Sequence, residues 1–243
     1  MRKQQAGFTL VEIAIVLVII GLLLGGIIQG QQLINSARVK NLAETNSGVQ
    51  AAYFGFIDRY RQVPGDMTVD VANAAIGVPI TGGGNGNGRL DNPPATLWAE
   101  NNAAWEHMSK AGFIQGSYLG TSAEEPSFNN NIAPVNAFNS PMLLGVTDDY
   151  LDTNVAGAVN RLHLVIGRGV PVGIQRELDV KIDDGVPNTG TLRATVNGTA
   201  NDFTGTNNWG GSDVGVDCAN VTVTPSQWNV AGNSSDCNSV FLF

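Results

Sequence analysis

Met1-Arg2-Lys3-Gln4-Gln5-Ala6-Gly7-Phe8-Thr9-Leu10-Val11-Glu12 opens the chain and leads directly into an apolar stretch that ends at Ile28. Two basic residues, a Gly-Phe junction and one carboxylate therefore accompany a segment of about 20 residues, the length that crosses a bilayer as a helix. A secretory signal is built differently: its apolar core is about 7–15 residues long and the small-residue cleavage site follows it. In this chain the candidate cleavage point, Gly7, comes before the apolar run. A carboxylate within a span is costly and is expected to face a partner, so Glu12 is the residue that a functional account must explain.

Gly7-Phe8-Thr9-Leu10-Val11-Glu12, followed by Ile13-Ala14-Ile15-Val16-Leu17-Val18-Ile19-Ile20, resembles the N-terminal signature of type IV pilins and of the pseudopilins of type II secretion. The resemblance implies removal of a leader, residues 1–7, by a prepilin peptidase, with N-methylation of Phe8. It implies pairing of Glu12 with the new Phe8 amine of an adjacent subunit. It also implies partners: other pilin subunits in a homo- or heteropolymer, and an inner-membrane assembly platform. The expected fold is α+β and pilin-like, with a long N-terminal helix over 8–62, membrane-spanning at about 8–28, packed against an antiparallel sheet in a globular extracytoplasmic domain, 63–243. The function expected is that of a structural subunit of a type IV pilus or pilus-like filament. Two alternatives stay open: a type II secretion pseudopilin, and a minor tip pilin that binds a surface or a secreted substrate.

The residues support the long helix independently. No proline occurs before Pro64, and Val49, Ala52, Tyr53, Phe56, Ile57 and Tyr60 keep the i, i+3, i+4, i+7 spacing of one helical face. Ahead of them the helix is apolar all round, as burial in lipid requires. Gly21 and Gly25, and again Gly26 and Gly30, have the spacing that lets helices approach closely. Arg2 and Lys3 before the span place the leader in the cytoplasm and the C-terminus in the periplasm. The expected location is thus the inner membrane, single-pass, before assembly, and a cell-surface or periplasmic filament afterwards.

Beyond the helix, about 180 residues remain, enough for one domain with its own core. Of the 243 residues only 14% are charged and 30 are glycine, a composition of turns and strands. The 13 basic residues less Arg2 and Lys3 leave 11 against 21 acidic ones in the mature chain, a field that repels nucleic acid. Arg38, Lys40 and Arg59-Tyr60-Arg61 form the sole basic group to weigh against this, and they read as solvated or intersubunit charges. Cys218 and Cys237 lie in an oxidising compartment, where a disulfide is the default. The resemblance adds weight, because family members often carry a C-terminal disulfide loop.

Val63-Pro64-Gly65-Asp66 reads as the turn that ends the helix, and Gly82 to Gly88 as a flexible loop. A second helix is expected from Thr96 to Ala111. Strands are expected at Leu162–Ile166, Leu192–Val196, Val221–Thr224 and Val240–Phe243, with turns at Asp183–Pro187 and Asn197-Gly198.

Two places invite a calcium reading, and no other cofactor is expected. Asn85, Asn87 and Asp91 alternate in the glycine loop, but no Glu closes the loop as in an EF-hand. Asp179, Asp183 and Asp184 gather hard oxygen ligands near a turn, and an Asp-Asp-Gly turn accounts for the same residues. The only histidines, His107 and His163, stand in no nucleophile-elbow or metalloprotease pattern. No catalytic residue is assigned, and the chain is expected not to be an enzyme.

Overall fold

The computed structural model describes residues 9–90, 98–121, 130–148, 150–153, 158–167, 169–195 and 218–243. They belong to two compact units, Met1–Val39 and Lys40–Phe243, and helix α1, Leu10–Tyr60, runs through both. In the first unit every residue from Leu10 to Ile28 is exposed. Such a helix, apolar on all sides, suits a surface that lipid or other helices cover. It is long and apolar enough to cross a membrane.

α1 ends at Tyr60, two residues short of the expected Gln62. Arg61 takes a left-handed conformation, φ 55°, and its N–H reaches the Ile57 carbonyl at 2.8 Å. A residue with positive φ just past the last turn caps the open carbonyls, and Pro64 follows where the helix cannot continue.

In the second unit α1 presents Leu42, Val49, Ala52, Tyr53 and Phe56 as its buried stripe. Phe56, fully buried, packs against Phe113 (ring centroids 5.9 Å apart) and against the His107 ring (6.3 Å). Burying a side chain of that size is worth about 1.5–3 kcal/mol. Helix α2, Val69–Ile76, follows the turn, and α3, Ala99–Lys110, carries the His107 that meets Phe56. Of the expected second helix, Thr96 and Leu97 lie outside the described residues.

α3 connects the helical layer to the sheet: Asn101 Nδ2 donates to the Leu144 carbonyl, 2.7 Å, on β1, Leu143–Thr147. The sheet is antiparallel, in the order β1-β2-β6-β3, where β2 is Arg161–Val165, β3 is Leu192–Ala194 and β6 is Ser239–Leu242. The last strand in sequence is therefore an inner strand, and all four of its residues are buried. Helix α4, Val172–Ile182, buries Val172, Ile174, Gln175, Leu178 and Asp179 on one side. A small hairpin of β4, Ala219–Asn220, and β5, Gln227–Trp228, stands beside it. Cys218 and Cys237 are bonded, with sulfurs 2.07 Å apart, and close a loop around that hairpin.

The α+β layout, a long apolar N-terminal helix followed by an antiparallel sheet, is as expected. Several elements differ in detail. Val221–Thr224 is not a strand: the pairing lies two residues earlier, and Thr222 N–H instead turns back onto Asn220 Oδ1, 3.1 Å. An Asn that accepts from residue i+2 favours a turn over a ladder, despite the β-branched run. Strand β3 ends at Ala194, and the expected turn at Asn197-Gly198 lies outside the described residues. Helices α2 and α4 and strand β1 are additions, and Asp179 stands within α4.

Candidate functional site

At the N-terminus of α1, Thr9 and Glu12 satisfy each other. Thr9 N–H and Thr9 Oγ1 both donate to Glu12 Oε2, each at 2.8 Å, and Glu12 N–H reaches Thr9 Oγ1 at 3.3 Å. The first turn of a helix has N–H groups with no partner inside the helix. A Thr-x-x-Glu sequence provides two of them with side-chain acceptors, which is the capping box. Glu12 thus begins the helix as well as charging it. This use of Thr9 was readable in the four letters Thr9-Leu-Val-Glu12 and is an addition to the expected site. Gly7 and Phe8 lie outside the described residues.

Residues 2–28, which include this turn, match the family described as the prokaryotic N-terminal methylation motif. The chain carries the type IV pilin and pseudopilin signature. No curated protein and no solved structure matches it. A pilin signature of this kind goes with processing by a prepilin peptidase, with anchoring in the membrane before assembly, and with assembly among pilin-type subunits. It marks a structural class of protein rather than an enzyme class.

The two calcium candidates differ in geometry. Asp179, Asp183 and Asp184 each offer a carboxyl oxygen within 4.8 Å of the others, and they are the described residues that come together in a way that could hold a divalent ion. Their oxygens already accept protein hydrogen bonds. Asp179 takes Trp228 Nε1–H at 2.7 Å and Gly185 N–H at 3.3 Å, Asp183 takes Leu192 N–H at 3.0 Å, and Asp184 takes Val186 N–H at 2.8 Å. Thr191 N–H and Thr189 Oγ1 add bonds to Asp183 and Asp184. Burial pushes the Asp179 carboxyl up to about 6, against the Trp228 and Gly185 hydrogen bonds, with Asp184 and Asp183 adding to the rise. In the glycine loop, Asn85 Oδ1 accepts Asn87 N–H and Asn87 Oδ1 accepts Arg89 N–H, at 3.0 and 3.1 Å. Two successive side-chain turns explain the alternation there, and Asp91 lies outside the described residues.

The glycine loop is tied down by buried acceptors that the sequence did not announce. Glu106 is fully buried, and its carboxyl oxygens accept Thr81 N–H (3.0 Å), Gly82 N–H (2.8 Å), Gly120 N–H (3.0 Å) and Thr81 Oγ1–H (2.9 Å). A Cβ at Gly82 would run into the Gly120 carbonyl, so glycine is required for the two strands of chain to meet there. Asp66, 3% exposed, accepts Asn87 N–H at 3.0 Å and Gly88 N–H at 2.8 Å.

His107 is buried and serves the same loop. Gly65 N–H donates to its Nδ1 at 2.9 Å, so Nδ1 carries no proton, and its Nε2–H donates to the Gly82 carbonyl at 3.0 Å. Burial pushes its pKa down, opposed by the Gly82 carbonyl and by Glu106. His163, fully buried on β2, is pushed down to about 3 by burial, opposed by the Arg161 carbonyl. Both rings have structural partners in the fold.

The basic residues of the candidate nucleic-acid patch have local partners. Lys40 Nζ lies 3.5 Å from Glu44, Arg61 lies 3.2 Å from Asp58, and Arg59 sits over the Tyr60 ring at 5.2 Å. These are local pairs along α1 and just past its end, worth little individually.

Proposed function

We propose that this chain is a structural subunit of a type IV pilus or pilus-like filament, cut between Gly7 and Phe8, N-methylated on Phe8, and assembled through α1. The observation that carries the reading is Glu12: one carboxylate at the start of a helix that is otherwise apolar and exposed from Leu10 to Ile28. The Thr9 bonds both end on Oε2, and a carboxylate has further acceptor capacity for a cation. After cleavage the mature chain begins with the Phe8 amine, a positive charge of matching size. Pairing it with Glu12 of an adjacent subunit neutralises both as the helices leave lipid and bundle together. The helix surface that lipid covers before assembly is then covered by other helices.

Mass spectrometry of sheared filaments or membranes tests the processing. The expected species begins with methylated Phe8. Assembled material that retains Met1, or that begins beyond Ile28, overturns the reading.

A further inference from the structure

The glycine loop contains two Asn-Gly steps, Asn85-Gly86 and Asn87-Gly88, and all four residues are exposed. Asn-Gly is the dipeptide most prone to deamidation, because glycine has no side chain to hinder ring closure. In the second step Gly88 N would lose its proton and attack Asn87 Cγ. A carbon–nitrogen bond forms, the side-chain nitrogen leaves as ammonia, and water opens the resulting succinimide to aspartate or isoaspartate. Water is the only co-reactant.

The fold itself imposes this hazard. Gly86 and Gly88 stand at φ 75° and 90°, where a side chain is strained, so a bulkier residue that would slow closure does not suit the backbone. Asn85 and Asn87 make the two successive side-chain turns, in which their oxygens accept Asn87 N–H and Arg89 N–H. The residues that shape the loop are thus the ones that make it reactive.

Asp66 acts against that reactivity. Its Oδ2 accepts Gly88 N–H at 2.8 Å, its Oδ1 accepts Asn87 N–H at 3.0 Å, and its backbone carbonyl accepts Gly86 N–H at 2.8 Å. Both attacking nitrogens are therefore engaged by one residue, itself buried. Taking the proton from Gly88 N would set an anionic nitrogen against a carboxylate sheltered from water, where like charges repel more strongly than in bulk solvent. Rotating the Asn87 carboxamide over that nitrogen would also break its bond from Arg89 N–H. Asn85 N–H on Glu100 Oε1 (3.1 Å) and Gly84 N–H on the Met67 carbonyl (2.9 Å) hold the backbone on the other side of the first step.

We propose that Asn85 and Asn87 are latent deamidation sites and that Asp66 holds them closed. Losing that hold has a one-way consequence: deamidation at Asn87 adds a carboxylate near Asp66, and the isoaspartate product lengthens the backbone that Asp66 binds. The inference goes beyond filament assembly, because it uses no residue of α1. The test incubates the full chain in detergent micelles in mildly alkaline buffer, beside the same chain unfolded in guanidinium chloride, and follows conversion of each Asn by peptide mass spectrometry. The expected native rate at Asn87 is lower than the unfolded rate by about tenfold or more, the worth of a hydrogen bond to a charged group. Asp66→Ala, shown to be folded by its thermal transition, should raise the native rate at Asn87 about tenfold and that at Asn85 much less, because the backbone carbonyl that holds Gly86 N–H is retained. If the alanine variant does not fold, Asp66→Asn, which removes the charge and keeps the shape, takes its place. Equal rates at Asn87 in the native and the unfolded parent overturn the proposal, as does a folded variant whose Asn87 stays slow or whose two steps quicken alike.

Discussion

Glu12 and Glu106 carry the same side chain in two regions built on opposite rules. Glu12 stands on an exposed helix and receives its bonds from Thr9, three residues away. Glu106 is fully buried and gathers Thr81, Gly82 and Gly120, which come from 14 to 25 residues away in sequence. The first region is locally specified and leaves its apolar surface for something else to cover. The second region uses buried acceptors to hold irregular chain in place. The difference separates what assembly requires, a uniform apolar helix with one charge, from what an autonomous fold requires, satisfied backbone groups in its interior.

The sharpest way to break this comparison is to remove the buried glutamate. Glu106→Ala leaves the N–H groups of Thr81, Gly82 and Gly120 without their acceptor, and a buried unsatisfied donor costs about 1–3 kcal/mol. The expected loss is therefore about 3 kcal/mol or more of folding stability, read by denaturant unfolding, with Glu106→Gln losing less because one oxygen remains. A loss below about 1 kcal/mol would show that water replaces the carboxyl group and that the loop needs no such anchor.

Glu12→Ala tests the other side. Unfolding of the second unit should be unchanged, while filament assembly should fall steeply, because removing one partner of a buried charge pair costs about 3–5 kcal/mol. Membrane insertion and cleavage should survive, since the junction and the apolar length are intact. Electron microscopy of sheared filaments and immunoblots of membrane fractions separate these steps. Filament yield, or co-purification with filaments for a minor subunit, equal to the parent's would remove Glu12 from the mechanism.

Asp179 gives the buried region a pH dependence of defined sign. Its carboxyl titrates at about 6 in the fold, pushed up chiefly by burial, against about 3.9 in an unfolded chain. Below about pH 4 both states hold the proton, and between about 4 and 6 the folded state keeps it while the unfolded chain releases it. The stability due to this group is thus fully present below about pH 4 and is lost as pH rises through about 6, by on the order of 1–2 kcal/mol after allowing for solvent around Asp184. Asp179→Asn should flatten that slope, and Trp228 fluorescence, whose indole donates to Asp179, is a local probe. Parallel pH profiles for variant and parent would mean that Asp179 titrates alike in the folded and the unfolded chain.

The same contrast decides what the sequence makes legible. The apolar run and the Gly7-Phe8 junction are contiguous patterns, and so is the helix stripe Val49, Ala52, Tyr53, Phe56; each can be read without knowing what lies next to it. Thr9 is equally local, since a Thr three residues before a Glu is itself the capping-box pattern. Glu106, Asp66 and His107 had no such pattern, since their partners are assigned by tertiary contact. Val221–Thr224 shows the limit of propensity: its β-branched run favours a strand, but Asn220 and the closed loop around it favour a turn. In α4, the dense acidic end at Asp179, Asp183 and Asp184 obscured the stripe of Val172, Ile174 and Leu178 that makes it a helix.

Thr9→Ala is expected to have the smallest effect, and it sharpens the comparison most finely. The variant removes the hydroxyl that receives Glu12 N–H at 3.3 Å and donates to Glu12 Oε2 at 2.8 Å, while the Thr9 N–H bond to Glu12 can persist. Loss of an N-cap side chain costs about 1 kcal/mol, a factor of about five in the equilibrium between closed and frayed first turn. Amide exchange of the first helical turn in micelles should therefore quicken about fivefold, with exchange beyond Gly21 unchanged because the cap acts on the first turn alone. Thr9→Ser keeps the hydroxyl and should restore slow exchange. If Thr9→Ala leaves the first turn as protected as in the parent, the bilayer or detergent itself holds the helix start, and the local pattern Thr9-Leu-Val-Glu12 is not what begins α1.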